Sequence, residues 1–400
     1  MAAFRSRRVQ LFIRHFPAHS GPNANVAEWL AVGAFGAGNL DAIAAPDAAA
    51  RADSRSLAQG LFIFATYSIL YVATLIDTIA PLALPLNLLF SIGNGICIAM
   101  LFIVGHDCCH GALVPGRRWN LWLGRFAFIP VIHSVSLWRL AHNQHHHGRT
   151  NLKGVDPVWT PMSRKEYAAL SPARRWLERV YRSAAGPIIY YHIQIWLPLM
   201  LLPLSVQARA NWRRFVPDTI FILTGFAATL ALIVLLGSVI APQRPVWLLL
   251  VLGWAVPYAV WSYFAAITVY LNHTHPEIPW FDDERGWSFY NGNVLGTAHV
   301  KLPLDILPLY SNVMAHPAHH ANTATPVYEL PAEQAGLKAR VGSDTKEYRL
   351  SFGEYRRIVA ACKLFDFERM CWTDFAGVAT GPMLVVRPPG HVLTTATSRT

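Results

Sequence analysis

Four stretches of this chain of 400 residues are long and apolar enough to leave water altogether, and they limit what the remainder can fold into. From Leu57 to about Ala80, Leu82 to Val104, about Val216 to Ile240 and Val246 to Leu271 the sequence is almost free of charge. A helix rises about 1.5 Å per residue, so each run can cross a hydrocarbon layer about 30 Å thick. Pro81 and Pro85 mark an uncharged turn between the first two runs, and A-P-Q-R-P joins the last two. Two tight hairpins put both ends of the chain and its long middle segment on one side of the bilayer. The fold expected is an all-α membrane protein with four transmembrane helices in two hairpins, capped by helices on the side of the middle segment.

Charge says which side that is. Between His106 and Phe215 there are 15 Lys or Arg against 4 Asp or Glu, whereas the two hairpin turns together hold only Arg244. Basic residues mark the cytoplasmic side, so the middle segment, the cap and both termini are expected there. This bias also explains the net charge of +11 without nucleic acid, which is not expected as a partner. Five cysteines, an odd number without framework spacing, suggest neither a disulfide scaffold nor a cysteine zinc site.

Any metal must therefore be held by histidine. The middle segment contains H-N-Q-H-H-H, in which His142, His145 and His146 would leave one face of an α-helix at i, i+3 and i+4. The same spacing returns at His316, His319 and His320, where Pro317 suits the first turn of a helix, and a shorter form occurs at His106 and His110. With 17 His in the chain, chance predicts on the order of 0.03 such H-x-x-H-H matches. There are two. All three boxes, with His273 and His275, fall at the same face of the predicted membrane. Only Asp107 lies inside a box, so an all-imidazole site is implied, and imidazole alone does not choose among Zn, Cu, Fe and Ni.

The other segments are less informative. Residues 1 to 24 carry Arg5, Arg7, Arg8 and Arg14 and no acid, which suits a surface amphipathic segment or, less well, an organelle-targeting peptide; no secretory signal peptide is expected. Leu121 to Leu140 and Pro187 to Val206 are apolar but interrupted by Arg125, His133, Arg139 and prolines, and read as interfacial or re-entrant helices. Pro276 to Leu304 reads as a mixed loop. Residues 351 to 375 have helical periodicity, with Tyr355, Ile358, Val359, Cys362 and Phe365 on one side, and are expected to cover the site. The tail beyond Pro388 is expected to be disordered.

In order along the chain, G-H-D-C-C-H-G, S-L-W-R-L-A-H-N-Q-H-H-H-G-R-T-N, D-P-V-W-T-P, Y-L-N-H-T-H-P-E-I-P-W and H-P-A-H-H resemble the integral membrane fatty acid desaturases, closest to the delta-12 or oleate branch. The likeness runs from about residue 60 to 330, with a small or β-branched residue common among relatives where Pro317 stands. It implies 1–56 as a cytoplasmic segment, 57–330 as the desaturase domain and 331–400 as a cytoplasmic C-terminal segment. It also implies two iron ions that use dioxygen and electrons from a ferredoxin or a cytochrome b5 to desaturate a fatty acyl lipid or acyl-CoA. Carried over, the ligands are His106, His110, His142, His145, His146, His316, His319 and His320. A ninth would come from His275, favoured over His273, with Asn272, His273 and Asp107 as supporting neighbours. His133, His147, His192 and His299 are expected to be ordinary interfacial or solvated residues. Trp138, Trp254, Tyr258, Trp261 and Tyr270 are candidate liners of an acyl tunnel.

Iron suits oxidation of a C–H bond because zinc cannot change redox state. No dinucleotide, haem or iron–sulfur motif is present, so electrons must come from a separate protein. The basic excess suits an acidic carrier, and anionic lipid headgroups equally well. Hydroxylases, epoxygenases and ketolases share such boxes and form the rival reading. A histidine-rich metal transporter would need ionisable groups at mid-bilayer, and the four spans offer only Asp77 and Asp218, both near ends.

Overall fold

The computed structural model describes residues 56–305 and 307–387. The expectations for the amphipathic start and the disordered tail concern residues outside that range. The described chain is mostly helical, with two small sheets that an all-α reading did not include: Ala298–Lys301 runs parallel to Lys346–Arg349, and Leu364–Asp366 antiparallel to Cys371–Thr373. Among the described residues five helices are long and apolar enough to cross a membrane: Leu57–Ile79, Leu84–His110, Gly186–Ala210, Trp212–Ile240 and Val246–His273. The third was read from the sequence as interfacial or re-entrant. Its backbone is irregular, a π-helix over Tyr191–Leu201 containing Pro198, then a break before Val206–Ala210.

The chain divides into two compact units. One, here the apolar unit, comprises Ser54–Leu140 and Trp196–Ile267. Its helices expose Phe62, Ile69, Leu235 and Val239 outward, as side chains facing lipid would be. Inside, polar side chains at helical spacing on Leu84–His110 tie it to its neighbours. Asn87 donates to the carbonyls of Asp77 and Ala80, Ser91 to that of Leu252, and Asn94 to that of Tyr71. Each satisfies backbone or side-chain polarity that lipid could not. Arg244 closes the far end by donating to the Leu82 carbonyl at 2.6 Å and to Asn87 at 2.7 Å.

At the other end Asp218 accepts from Arg125 at 2.6 Å and from the Ser136 backbone at 2.9 Å, so that buried charge is paired. Ile132 holds φ 56°, a costly state for a β-branched residue, and the turn it makes brings His133 inward. His133 is fully buried among Phe102, Phe128, Trp138 and Trp261, with Nδ1 2.7 Å from the Val131 carbonyl. It is thus a core residue rather than the interfacial one expected.

The second unit contains Ala141–Ile195 and the described chain from Thr268 onward. Here the predicted helix over 351–375 is only Phe352–Ala361. Asp366 then takes the backbone N–H groups of Glu368 and Arg369, which turns the chain into the Leu364–Asp366 and Cys371–Thr373 hairpin. Apolar spacing alone could not separate that turn from a continuing helix.

Candidate metal centre

The central box is helical, but not α-helical. Arg139–His146 is a π-helix, and the His147 N–H donates to the His142 carbonyl at 3.0 Å, five residues back. That register moves the face. His142, His146 and His147 come together, with ring centroids 4.6 to 5.2 Å apart, and His145 belongs to neither histidine set of this unit. Burial lowers the His145 pKa to about 4. The expectation that His145 is a ligand and His147 a bystander, drawn from helical spacing and from the family resemblance, assumes 3.6 residues per turn, and this segment has a π register instead.

His316–Ala321 is a short helix with Pro317 in its first turn. Its i, i+4 pair faces one way and His319 another. Two sets result in this unit. In the first, one nitrogen from each of His146, His273, His316 and His320 lies within 4.8 Å of the others, and all four residues are buried. In the second, His142, His147 and His319 converge equally closely. In the apolar unit, His106 and His110 stand one turn apart at the end of Leu84–His110 with ring centroids 4.7 Å apart, and Asp107 lies 3.4 Å from His106 Nδ1.

The fourth imidazole of the first set is His273, where the sequence favoured His275. His273 Nε2 lies 2.9 Å from His316 Nε2, which in turn lies 3.0 Å from His320 Nε2. His275, two residues on, points to the C-terminal segment. Its Nδ1 accepts the Glu277 N–H at 3.1 Å, its Nε2 lies 2.9 Å from Arg357 and 3.4 Å from Glu354, and its ring stacks on Tyr348. Burial, with Lys346 and Arg357 nearby, lowers its pKa to about 4. Asn272 donates to the Met314 sulfur instead of toward a ligand.

The outward nitrogens are held as metal ligands require. Asp156, fully buried, accepts from His146 Nδ1 at 2.9 Å and is itself fixed by the N–H groups of Asn151 and Val158. His320 Nδ1 meets Asn293 Oδ1 at 2.9 Å and Thr150 Oγ1 at 3.0 Å. Both partners fix the tautomer and leave Nε2 facing inward with its lone pair. Burial first, then the surrounding imidazoles, holds the His320 pKa well below its ordinary value, so the ring is neutral and ready to bind. Four buried imidazoles, with a carboxylate only behind His146, fit a divalent transition metal.

The expected tunnel residues lie among ring contacts: Trp254, Tyr258 and Trp261 meet in succession, ring tilted on ring, along one helix, and Trp138 meets Phe102 and Phe128. Tyr270 packs on Trp159. An apolar cleft of about 380 Å³ in the apolar unit is lined instead by Phe64, Tyr71, Leu101, Phe126, Ile129 and Thr229.

A mostly helical chain with long apolar helices and clustered imidazoles has the make-up of a histidine-box membrane protein. Residues 81–352 match the fatty acid desaturase family model, and the chain belongs to that family. It is an integral membrane protein and an oxidoreductase. It is 32% identical over 279 residues to the sn-1 oleoyl-lipid 12-desaturase of Synechocystis sp., covering 69% of this chain and 75% of that one. A protein of the same name from Picosynechococcus sp. is 29% identical, covering 75% and 84%. The sn-1 acyl-lipid omega-3 desaturase (ferredoxin) of Synechocystis sp. is 27% identical, covering 64% and 68%.

Proposed function

We propose that this protein is a dioxygen-dependent acyl-lipid 12-desaturase that inserts a double bond into an oleoyl chain, taking its electrons from a separate carrier of the ferredoxin or cytochrome b5 kind. The observation that carries this reading is the pair of histidine sets drawn from boxes far apart in sequence, in a chain similar to two oleoyl-lipid 12-desaturases. In this reading one iron is held by His146, His273, His316 and His320. A second is held by His142, His147 and His319, with His106 and His110 added because the first box resembles that of the family. When bound, the iron pair supplies the oxidising power that an unactivated C–H bond requires. The protein's part is to keep the imidazoles neutral through burial, to orient them through Asp156, Thr150 and Asn293, and to keep carboxylates off the metals.

Four crossings, with box histidines, cap and termini on the cytoplasmic side, are supported by parity. His146 and His273 have ring centroids 4.5 Å apart, yet three of the five long helices separate them in sequence. Three crossings would put them on opposite faces, so an even number is required. Gly186–Leu201, the unbroken part of the irregular helix, spans at most about 24 Å at 1.5 Å per residue, short of a hydrocarbon core of about 30 Å. That helix enters and returns. The basic excess between His106 and Phe215 supports a cytoplasmic location for this face.

Expression with a compatible carrier, followed by mass spectrometry of the cellular fatty acids, tests the reading. A new double bond at the 12 position is expected, on the analogy of the relatives; a hydroxylated product would favour the hydroxylase reading, and an unchanged profile would count against both.

A further inference from the structure

Reduction of dioxygen to two waters takes four electrons and four protons. A desaturation supplies two of each from the acyl chain, and on the reading proposed above the other two electrons arrive singly from a carrier protein while two protons come from water. We infer that they enter through Trp287, by way of Thr150, to the ligand His320. In each transfer the reduced carrier, an iron–sulfur or haem protein, loses one electron and the metal centre gains it; no bond of Trp287 is made or broken.

The route is short and built from groups already described. The Trp287 indole Nε1 donates to the Thr150 carbonyl at 2.8 Å, and the Thr150 hydroxyl meets His320 Nδ1 at 3.0 Å. One hydrogen bond, one residue and a second hydrogen bond thus join the indole to a ligand of the four-histidine set. Trp287 is only half-buried, and the partly exposed Arg149 guanidinium lies 5.1 Å from its ring centroid. By contrast Asp156, behind His146, and Trp280, which donates to the His273 carbonyl, are fully buried.

A glycine keeps the first link open. A Cβ on Gly292 would lie 2.6 Å from the Thr150 carbonyl oxygen and 2.6 Å from Trp287 Nε1, wedged between acceptor and donor. Gly292 belongs to the π-helix Asn291–Leu295 that also presents Asn293 to His320. The same turn therefore shapes both ends of the path. Beside the indole Arg149 is matched by Glu284, and in the same segment Arg285 is matched by Asp283. With both arginines paired the rim offers little long-range attraction for an acidic carrier, so docking there depends on contact.

The rival entry is the pair of basic helices Arg164–Ala169 and Pro172–Tyr181, which carry exposed Arg164, Lys165, Arg175 and Arg179 and the exposed Trp176. The test uses oxidised, iron-loaded full-length protein and stopped-flow absorbance, with a reduced plant-type ferredoxin as the probe and dithionite as a small reductant. Trp287→Phe keeps the ring and removes the N–H, while Gly292→Ala keeps the indole and pushes it away. Both should slow reduction by ferredoxin several-fold, Trp287→Phe with iron content and dithionite reduction unchanged, and Trp176→Ala should alter none of these. Wild-type ferredoxin rates in both route variants would overturn the inference, as would slowing confined to Trp176→Ala. Loss of iron from the two route variants would also overturn it, by making this contact part of the metal scaffold. Wild-type protein free of iron would sink the proposed function first, and this route with it.

Discussion

At the scale of single residues the centre depends on which nitrogen points inward. A neutral histidine has one donor and one acceptor nitrogen, and the buried Asp156 carboxylate takes the donor of His146, leaving the other for a metal. The run His145, His146, His147 shows how far sequence can reach here. Its residues satisfy both H-x-x-H-H and H-x-x-x-H-H with His142, and only the backbone register decides between them. The sequence therefore indicated a histidine centre but not its membership at this box, nor that His273 rather than His275 turns inward. His147→Ala should lower product by more than about 100-fold, beyond the 10- to 100-fold typical of residues behind the ligands. His145→Ala should remain within about 10-fold of wild type by the same scale. Fatty acid analysis of cells expressing each variant at matched protein level checks this, and the reverse order would restore the α-helical register.

Elements explain why those residues meet. A π-helix holds one more residue per turn than an α-helix needs, so deleting one residue within it should let the α register reform. Deletion of Asn143 would set His142, His146 and His147 at i, i+3 and i+4. Metal content and product should survive that deletion, and loss of both would show that the π geometry itself is required.

The segment bearing His273 is also braced from the C-terminal side: Tyr348 donates to the Leu271 carbonyl at 2.9 Å, Trp372 to that of Ile278 at 3.0 Å, and Arg357 meets His275. Periodicity suggested a covering helix there. It could not show the bracing, because these contacts join residues up to 94 positions apart. Tyr348→Phe removes one such bond and should cost about 1 kcal/mol of stability, readable as a lower thermal midpoint, with weaker retention of one metal against chelator. An unchanged midpoint and unchanged retention would contradict the bracing role.

For the whole molecule, hydropathy and run length made the long apolar helices legible, since few structures can satisfy a polar backbone in lipid. They were weakest at Gly186–Ala210, whose composition suits a span while its backbone does not. Single cysteines introduced at Arg175 and Lys338 should react with an impermeant thiol reagent only from the cytoplasmic side, and one at Arg244 only from the other. The native cysteines, buried or half-buried, set the background. Labelling of Arg175 and Lys338 positions from opposite sides would require an odd number of crossings between them and would break the parity argument.

Iron content decides the central claim most directly. Elemental analysis of purified protein, paired with its dioxygen-dependent turnover per chain, should give about two iron atoms per fully active chain, one for each histidine set. Full turnover from protein holding one iron or none would contradict the account.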